Sequence, residues 1–192
     1  MSFRTLAIGF VFLSLGGVAS ATPQASKQRL DEIWEAVDNR ISQQIDIWFD
    51  DGDYPKSIHM LVFEAEYSPH NYDVITNLGW MQENVEEWDA ALATYQQYRR
   101  NNPQDRDRAL AEANYLFRRK KYDTIPALLE PLLKEKPHPN NFRILAHTYE
   151  RQKKFADAKR VWMALVALDP QDKTAALNLK RVEKKLNPSK SP

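Results

Sequence analysis

The stretch YDVITNLGWMQENVEEWDAALATYQQYRRNNP, residues 72–103, decides the fold of this 192-residue chain. Both halves of the stretch carry apolar residues at helical spacing. These are Val74, Ile75, Leu78 and Met81 in the first half, and Trp88, Ala91, Leu92, Tyr95 and Tyr98 in the second. The polar segment 84–87 separates the two halves, and Pro103 follows the second. The stretch therefore predicts two antiparallel helices joined by a short turn and followed by a proline-bearing turn.

The same pattern returns along the chain at intervals of 34, 34 and 33 residues, marked by Pro69, Pro103, Pro137 and Pro170. Twelve residues before each proline stand Ser57, Ala91, Ile125 and Ala158, and twelve residues before those stand Ile45, Gly79, Ala113 and Ala146. Where one position of a pair is isoleucine the other is small, so the volume of each helix contact is kept. An aromatic stands fifteen residues before each proline: Tyr54, Trp88, Tyr122 and Phe155. This period is typical of a stacked array of helix pairs.

The array resembles the tetratricopeptide repeat (TPR) family. The residues that carry the resemblance are Asn77-Leu78-Gly79-Trp80, Ala91, Tyr95 and Pro103 in the second block, and Leu145-Ala146, Tyr149, Ala158, Trp162 and Pro170 in the fourth. The third block lacks the small residue at 125, and the first departs from the pattern at Ile45 and Trp48. The resemblance implies an all-α, right-handed superhelical solenoid of four antiparallel helix pairs. Its blocks are residues 38–71, 72–105, 106–138 and 139–172.

Flanking segments complete the predicted organisation. Residues 22–37 are predicted as a helix leading into the array, residues 173–186 as a capping helix and residues 187–192 as a disordered tail. Residues 1–21 have the pattern of a bacterial export signal: Arg4, the apolar run 6–18 and an Ala19-Ser20-Ala21 cleavage site. We expect an exported protein, periplasmic or secreted, that is soluble after cleavage. Pro131 falls inside the second helix of the third block and predicts a local kink.

The sequence offers no pattern for catalysis or for metal or cofactor binding. It has no cysteine, no zinc-protease, phosphate-loop, serine-hydrolase or dinucleotide motif, and its four histidines are scattered singly. These observations favour a non-enzymatic scaffold or adaptor of the cell envelope, without cofactor or metal, that binds a protein or peptide of unknown identity.

The TPR resemblance implies that the first helices of the blocks line a concave groove. Its implied partner-binding residues include Trp80, Asn84, Asn114, Phe117, Arg143, His147 and Arg151. Trp80 has the alternative of a packing aromatic, and Arg143 and Arg151 that of a solvated helix face. The lysine/asparagine/arginine clamp by which one TPR subgroup grips terminal carboxylates is not reproduced, because Ser42 and Asp46 occupy two of its places and Trp80 a third.

Charge is distributed unevenly along the chain. Residues 22–98 hold 4 basic and 15 acidic side chains, whereas residues 99–192 hold 22 basic and 11 acidic ones. The turns inside the blocks follow this trend: DDGD (50–53), NVEE (84–87), RRKK (118–121) and RQKK (151–154). The alternative function is an anion-binding module for an acidic envelope polymer, a lipid headgroup or nucleic acid. Its basic edge would consist of Arg118, Arg119, Lys120, Lys121, Lys153 and Lys154.

Two further expectations follow from the charge. Aromatic side chains are not interleaved with the cations, which argues against nucleic acid as the partner. The opposite net charges of the two halves favour head-to-tail self-association.

Overall fold

The computed structural model describes residues 23–187, and this part contains helices and no strand. The predicted export signal, residues 1–21, and residues 188–192 of the predicted tail lie outside the described residues. The α-helices of the described part are α1 (Pro23–Asp50), α2 (Tyr54–Tyr67), α3 (Tyr72–Asn84), α4 (Trp88–Asn101), α5 (Leu110–Arg118), α6 (Ile125–Leu129), α7 (Pro139–Arg151), α8 (Phe155–Leu168) and α9 (Lys173–Leu186). A 3₁₀ helix, Glu130–Glu135, follows α6. Within residues 23–187, no helix has the length and apolar character to cross a membrane.

The chain divides into two compact units. The first ends at Gln43 and, among the described residues, contains the N-terminal part of α1. Most side chains of that part are exposed. The second unit begins at Gln44 and contains the end of α1 and helices α2 to α9. All of the clefts described below belong to the second unit.

Within the second unit, helices pack in sequential pairs. Helix α3 packs on α4, α5 on α6 and α7 on α8, and the second helix of each pair also contacts the first helix of the next pair. The core between them includes side chains with no exposed surface, among them Ile125, Leu145, Val161, Trp162 and Leu165. The predicted all-α solenoid is therefore confirmed.

The small residues expected at the helix contacts lie at the closest approaches. A Cβ atom on Gly79 would lie 2.3 Å from Cζ of Tyr95, which is too close for two carbon atoms that are not bonded to each other. Ala91, Ala113, Ala146 and Ala158 are likewise completely buried. Replacing glycine with a larger residue at 79 would therefore force the Tyr95 ring or helix α3 to move.

The turn inside each pair uses one left-handed residue. Gly52, Glu86, Lys120 and Lys153 occupy the third place of the four turns and have φ angles of 75°, 65°, 58° and 59°. The following N–H reaches back to the carbonyl five residues earlier in every turn: Asp53 to Trp48, Glu87 to Gln82, Lys121 to Leu116 and Lys154 to Tyr149. This is the bond that closes a Schellman helix end. A left-handed residue other than glycine costs roughly 1–2 kcal/mol, and only the first turn uses glycine.

The third pair is irregular at both of its helices. Helix α6 ends at Leu129 and continues as the 3₁₀ helix, because Pro131 has no N–H to donate to the preceding turn. Helix α5 begins only at Leu110, later than the start of its block at 106. The Asp105 carboxylate accepts a hydrogen bond from the Asp107 N–H at 2.9 Å, which holds the chain in a turn before α5.

Candidate functional site

The first helices of successive pairs, α3, α5 and α7, together with α9, present three clefts. We call their common surface the first-helix face. The aromatic cleft, about 190 Å³, is lined by Tyr72, Thr76, Trp80, Tyr95, Ala111, Asn114 and Arg118. The central cleft, about 570 Å³, is lined by Tyr72, Tyr98, Asp105, Asp107, Leu110, Asn114, His138 and Asn140. The cationic cleft, about 330 Å³, is lined by His147, Glu150, Arg151, Arg181 and Lys185.

Trp80 is the large apolar residue of the aromatic cleft. Its side chain is 49% exposed, so it is not a core packing residue. The ring of Phe49 lies 6.1 Å from it, and Tyr54 lies 5.6 Å from Phe49, edge to face. The Phe49 ring therefore lies between those of Trp80 and Tyr54 at this end of the first-helix face. Such a surface offers a large contact area from side chains with few rotatable bonds.

Asn114 lies between the aromatic and the central clefts and lines both. Its side chain is half-buried on α5. No hydrogen bond joins its amide to another residue of the described chain. The amide retains two donor hydrogens and an acceptor oxygen for a ligand.

Tyr72 and Asp107 give the central cleft its polar lining. Burial raises the pKa of Tyr72 to about 12, and the carboxylates of Asp107 and Asp105 contribute to the rise. Its hydroxyl therefore stays protonated across the neutral range and can donate a hydrogen bond. Asp107 accepts a hydrogen bond from the His138 N–H at 2.8 Å, which ties the turn before α5 to the start of α7.

Arg118 faces the aromatic cleft rather than a basic edge. Its guanidinium donates two hydrogen bonds to the Glu83 carboxylate, at 2.5 and 3.1 Å. The hydroxyl of Tyr95 donates to the same carboxylate at 2.8 Å. Burial raises the pKa of Tyr95, and its bond to Glu83 raises it further. The cation predicted at position 118 is thus neutralised by an acid thirty-five residues away in sequence.

The other residues of the predicted basic edge have different surroundings. The guanidinium carbon of Arg119 lies 4.0 Å from the ring centroid of Trp88, a cation–π contact. Lys120 and Lys153 supply the left-handed turn residues, and the N–H groups of Lys121 and Lys154 close the turns. The four lysine side chains are exposed. Their places in exposed turns explain why these four residues are polar but not why they are basic.

Three of the predicted partner-binding residues have contacts within the protein and line none of the three clefts. Asn84 donates its amide hydrogen to the Trp80 carbonyl at 2.8 Å, and Phe117 packs edge to face on Tyr122 at 5.4 Å. Arg143 forms an ion pair with Asp172 at 2.6 Å and donates to Asn140 at 2.7 Å.

The Arg143 contact stabilises the start of the capping helix. Asp172 accepts a hydrogen bond from the Ala175 N–H at 2.9 Å as the N-cap of α9. That amide, and then Arg143, lower the pKa of the Asp172 carboxyl. Arg143 is therefore a link between α7 and α9.

The cationic cleft surrounds one carboxylate with several donors. Glu150 accepts from Arg181 at 2.7 and 2.9 Å, from Lys185 at 3.2 Å and from the indole N–H of Trp162 at 3.2 Å. Burial alone would raise its pKa, but the bonds to Trp162, Lys185 and Arg181 outweigh it and lower the pKa. The Nδ1 atom of His147 lies 3.4 Å from the same carboxylate.

His147 and Arg151 are the predicted residues of this cleft. Burial lowers the pKa of His147, and its ring lies 5.0 Å from that of Trp162, edge to face. Arg151 is exposed and forms no ion pair within the described chain. The predicted groove residues did not include Arg181 and Lys185, although the repeat register continues the basic edge to Lys184-Lys185 of the capping helix.

The chain is similar to known proteins in structure. No family model and no curated protein matches the sequence. The chain is similar to a crystal structure of MamA, with a TM-score of 0.60, 11% identity, and coverage of 78% of this chain and 82% of that one. It is also similar to a tetratricopeptide repeat protein from Parabacteroides merdae, with a TM-score of 0.62, 18% identity, and coverage of 78% and 60%.

A third similar structure is MamA from residue 41 onward of Desulfovibrio magneticus RS-1. Its TM-score is 0.53 and its identity 15%, with coverage of 80% of this chain and 97% of that one. Identities this low show a shared fold alone.

Proposed function

We propose, since the chain has the tetratricopeptide-repeat fold, that it is a non-enzymatic scaffold holding an extended segment of a partner protein on the first-helix face. The observation that carries the proposal is the pairing of a half-exposed Trp80 with an unpaired Asn114 in one cleft. An apolar anchor beside a free amide is a combination suited to a peptide.

An extended segment fits these groups better than a helical one. The free amide of Asn114 can pair with a main-chain peptide group only where that group is not already bonded within a helix. Trp80 supplies an apolar anchor of the kind that contributes most of the affinity at many protein interfaces. Because Asn114 lines both clefts, a segment anchored at Trp80 would continue into the central cleft past Tyr72.

The proposal is tested by replacing Trp80 and Asn114 with alanine, separately. Photo-crosslinking in the native cell, with the probe at Thr76, would identify the attached partner segment. We expect each alanine variant to lose most of the crosslinked product while its helical circular dichroism is unchanged.

A matched control for Trp80 is Phe63→Ala. Phe63 is 52% exposed on α2 and lines none of the three clefts. Product retained at the wild-type level in both Trp80→Ala and Asn114→Ala would refute the proposal.

The proposed scaffold acts in the cell envelope or outside the cell. The support is the pattern of residues 1–21, which is that of a cleaved export signal. Fractionation of the native cell, with N-terminal sequencing of the protein, tests this location. A chain recovered in the cytoplasm with an intact N-terminus would contradict it.

A second copy of the chain is one candidate for the partner. The acidic half before residue 99 and the basic half after it favour head-to-tail contact. Sedimentation at low and high salt tests this contact, which should appear at low salt and dissociate at high salt. A monomer at every salt concentration would exclude it.

A further inference from the structure

The cationic cleft holds an excess of positive charge. Three side chains, Arg151, Arg181 and Lys185, carry permanent positive charge, and one carboxylate, Glu150, opposes them. The aromatic cleft is different, because its single cation, Arg118, is matched by Glu83. Both clefts lie between first helices of the array. The excess of positive charge therefore belongs to the cationic cleft and is not general to clefts between first helices.

A regular pairing between repeats explains where the excess arises. Glu83 pairs with Arg118, and Glu150 pairs with Lys185, in each case thirty-five residues later. Arg151 occupies the corresponding basic position between Arg118 and Lys185, 33 residues after the first and 34 before the second. The position that corresponds to Glu83 and would pair with Arg151 is 117, one block before Glu150.

Position 117 is a phenylalanine, and its ring packs on Tyr122. Arg151 therefore lacks the carboxylate that the other two basic positions have. It lies instead in the cleft that α7 forms with α9, where Glu150 is already bonded to Arg181, Lys185 and Trp162.

We propose that the cationic cleft is a binding site for an oxyanion, a carboxylate or a phosphate group, held by Arg151 together with Arg181 and Lys185. A guanidinium presents two parallel N–H donors that match the oxygens of either group. The cleft volume of about 330 Å³ is roughly ten times the ~30 Å³ share of one water molecule. An oxyanion with some of its waters fits inside.

The internal ion pairs do not already account for this site. Arg181 and Lys185 hold α9 through Glu150, whereas the Arg151 side chain forms no ion pair or hydrogen bond in the described chain. A purely structural role thus explains two of the three cations. The site is independent of whether a peptide binds near Trp80.

The test is titration of the full mature chain with sulfate, phosphate and acetate, each at constant ionic strength. Binding is followed by the NMR signals of the Trp162 indole N–H and the Arg181 guanidinium. We expect saturable binding to the wild type, at least fivefold weaker in Arg151→Ala and partly restored in Arg151→Lys. Arg100→Ala is the matched control, since Arg100 is exposed on α4 and lines none of the three clefts.

The relative affinities of phosphate and acetate distinguish the two oxyanion sources. Tighter binding of phosphate than of acetate assigns a phosphate group, and the reverse assigns a carboxylate. A linear, unsaturated response in the wild type, or equal affinity in the wild type and Arg151→Ala, would overturn the proposal. Because Arg151 has no internal partner, its replacement tests binding without unfolding the chain.

Discussion

The hydroxyl of Tyr95 donates a hydrogen bond of 2.8 Å to the carboxylate of Glu83, within the pair formed by α3 and α4. The same two positions of the α7–α8 pair hold Trp162 and Glu150, whose indole N–H and carboxylate are 3.2 Å apart. In both pairs the second helix donates to an acid at the end of the first helix. That acid also accepts from a cation of the next first helix, so it joins three helices.

Removal of the Glu83 carboxylate should destabilise α3, α4 and α5 together. In Glu83→Ala, Arg118 and Tyr95 lose their common acceptor. Leaving a buried hydroxyl unsatisfied costs about 1–3 kcal/mol, and we expect a loss in this range in the free energy of unfolding. Urea denaturation followed by circular dichroism measures it.

Glu87→Ala is a suitable comparison for Glu83→Ala, since Glu87 is exposed and its side chain makes no capping bond. Its stability should stay within about 0.5 kcal/mol of wild type, as for most surface changes. Equal effects of the two substitutions would show that the Glu83 network does not join the helices.

Gly79→Ala should destabilise the chain although alanine is the better helix former. Alanine is favoured by about 1 kcal/mol in a helix, but its Cβ would meet the Tyr95 ring, and overpacking of this kind costs about 1–3 kcal/mol. The double variant Gly79→Ala with Tyr95→Leu should lose less stability than the sum of the two single variants, because the clash with the ring is then absent. A Gly79→Ala variant as stable as wild type would contradict the contact.

Glycine at Lys120 or Lys153 should stabilise the chain. Each residue has a left-handed backbone, which glycine adopts without the steric cost of a Cβ. Part of the gain is offset because glycine loses more backbone entropy on folding, so we expect a net gain of about 0.5–1 kcal/mol per site. Urea midpoints give the measurement.

The adjacent Lys121 has no left-handed backbone and serves as the control for the glycine substitutions. Lys121→Gly should be neutral or destabilising. If the three variants lost stability to the same degree, the left-handed turns would not be a source of strain.

Arg143→Ala should loosen the capping helix selectively. The substitution removes the ion pair to Asp172, the N-cap of α9. Hydrogen exchange should become faster by several-fold in α9 and remain unchanged in α3. Equal exchange rates of α9 in the wild type and in Arg143→Ala would show that the ion pair does not stabilise this helix. Reduced partner capture with unchanged exchange would assign Arg143 to the binding site.

Acidification should weaken the fold through His147 and strengthen sulfate binding. Burial lowers the pKa of His147 in the folded chain, so its contribution to stability is fully present above the unfolded pKa of about 6.5 and is lost as pH falls toward the folded pKa. Glu150 opposes this shift, and the cations Arg151, Arg181 and Lys185 face the same ring.

Sulfate keeps its charge over this pH range and is the appropriate probe for it. Protonated His147 adds a positive charge to the cleft, so sulfate affinity should rise as pH falls below 6.5 and should raise the pKa of His147 in return. NMR titration with and without sulfate measures both effects, and the ring of His59, exposed on α2, reports the general effect of salt. The same response at both histidines would remove His147 from the site.

The sequence alone determined that the chain forms helix pairs and that small residues lie at their contacts. These features depend on periods of 3.6 and 34 residues, and each helix contact needs at least one small side chain. Gly79 is an instance, since its place in the repeat already required a residue without a large side chain.

Only the tertiary structure decided which residues of the first-helix face are available to a partner. Asn84, Phe117 and Arg143 occupy groove positions of the repeat, yet each is engaged inside the protein. Arg118 and Arg151 look alike in the sequence, but Arg118 forms an ion pair with Glu83 and Arg151 forms none within residues 23–187. The physical reason is that a long polar side chain bonds whichever partner the neighbouring repeat brings within reach, and a repeat pattern defines positions without defining those partners.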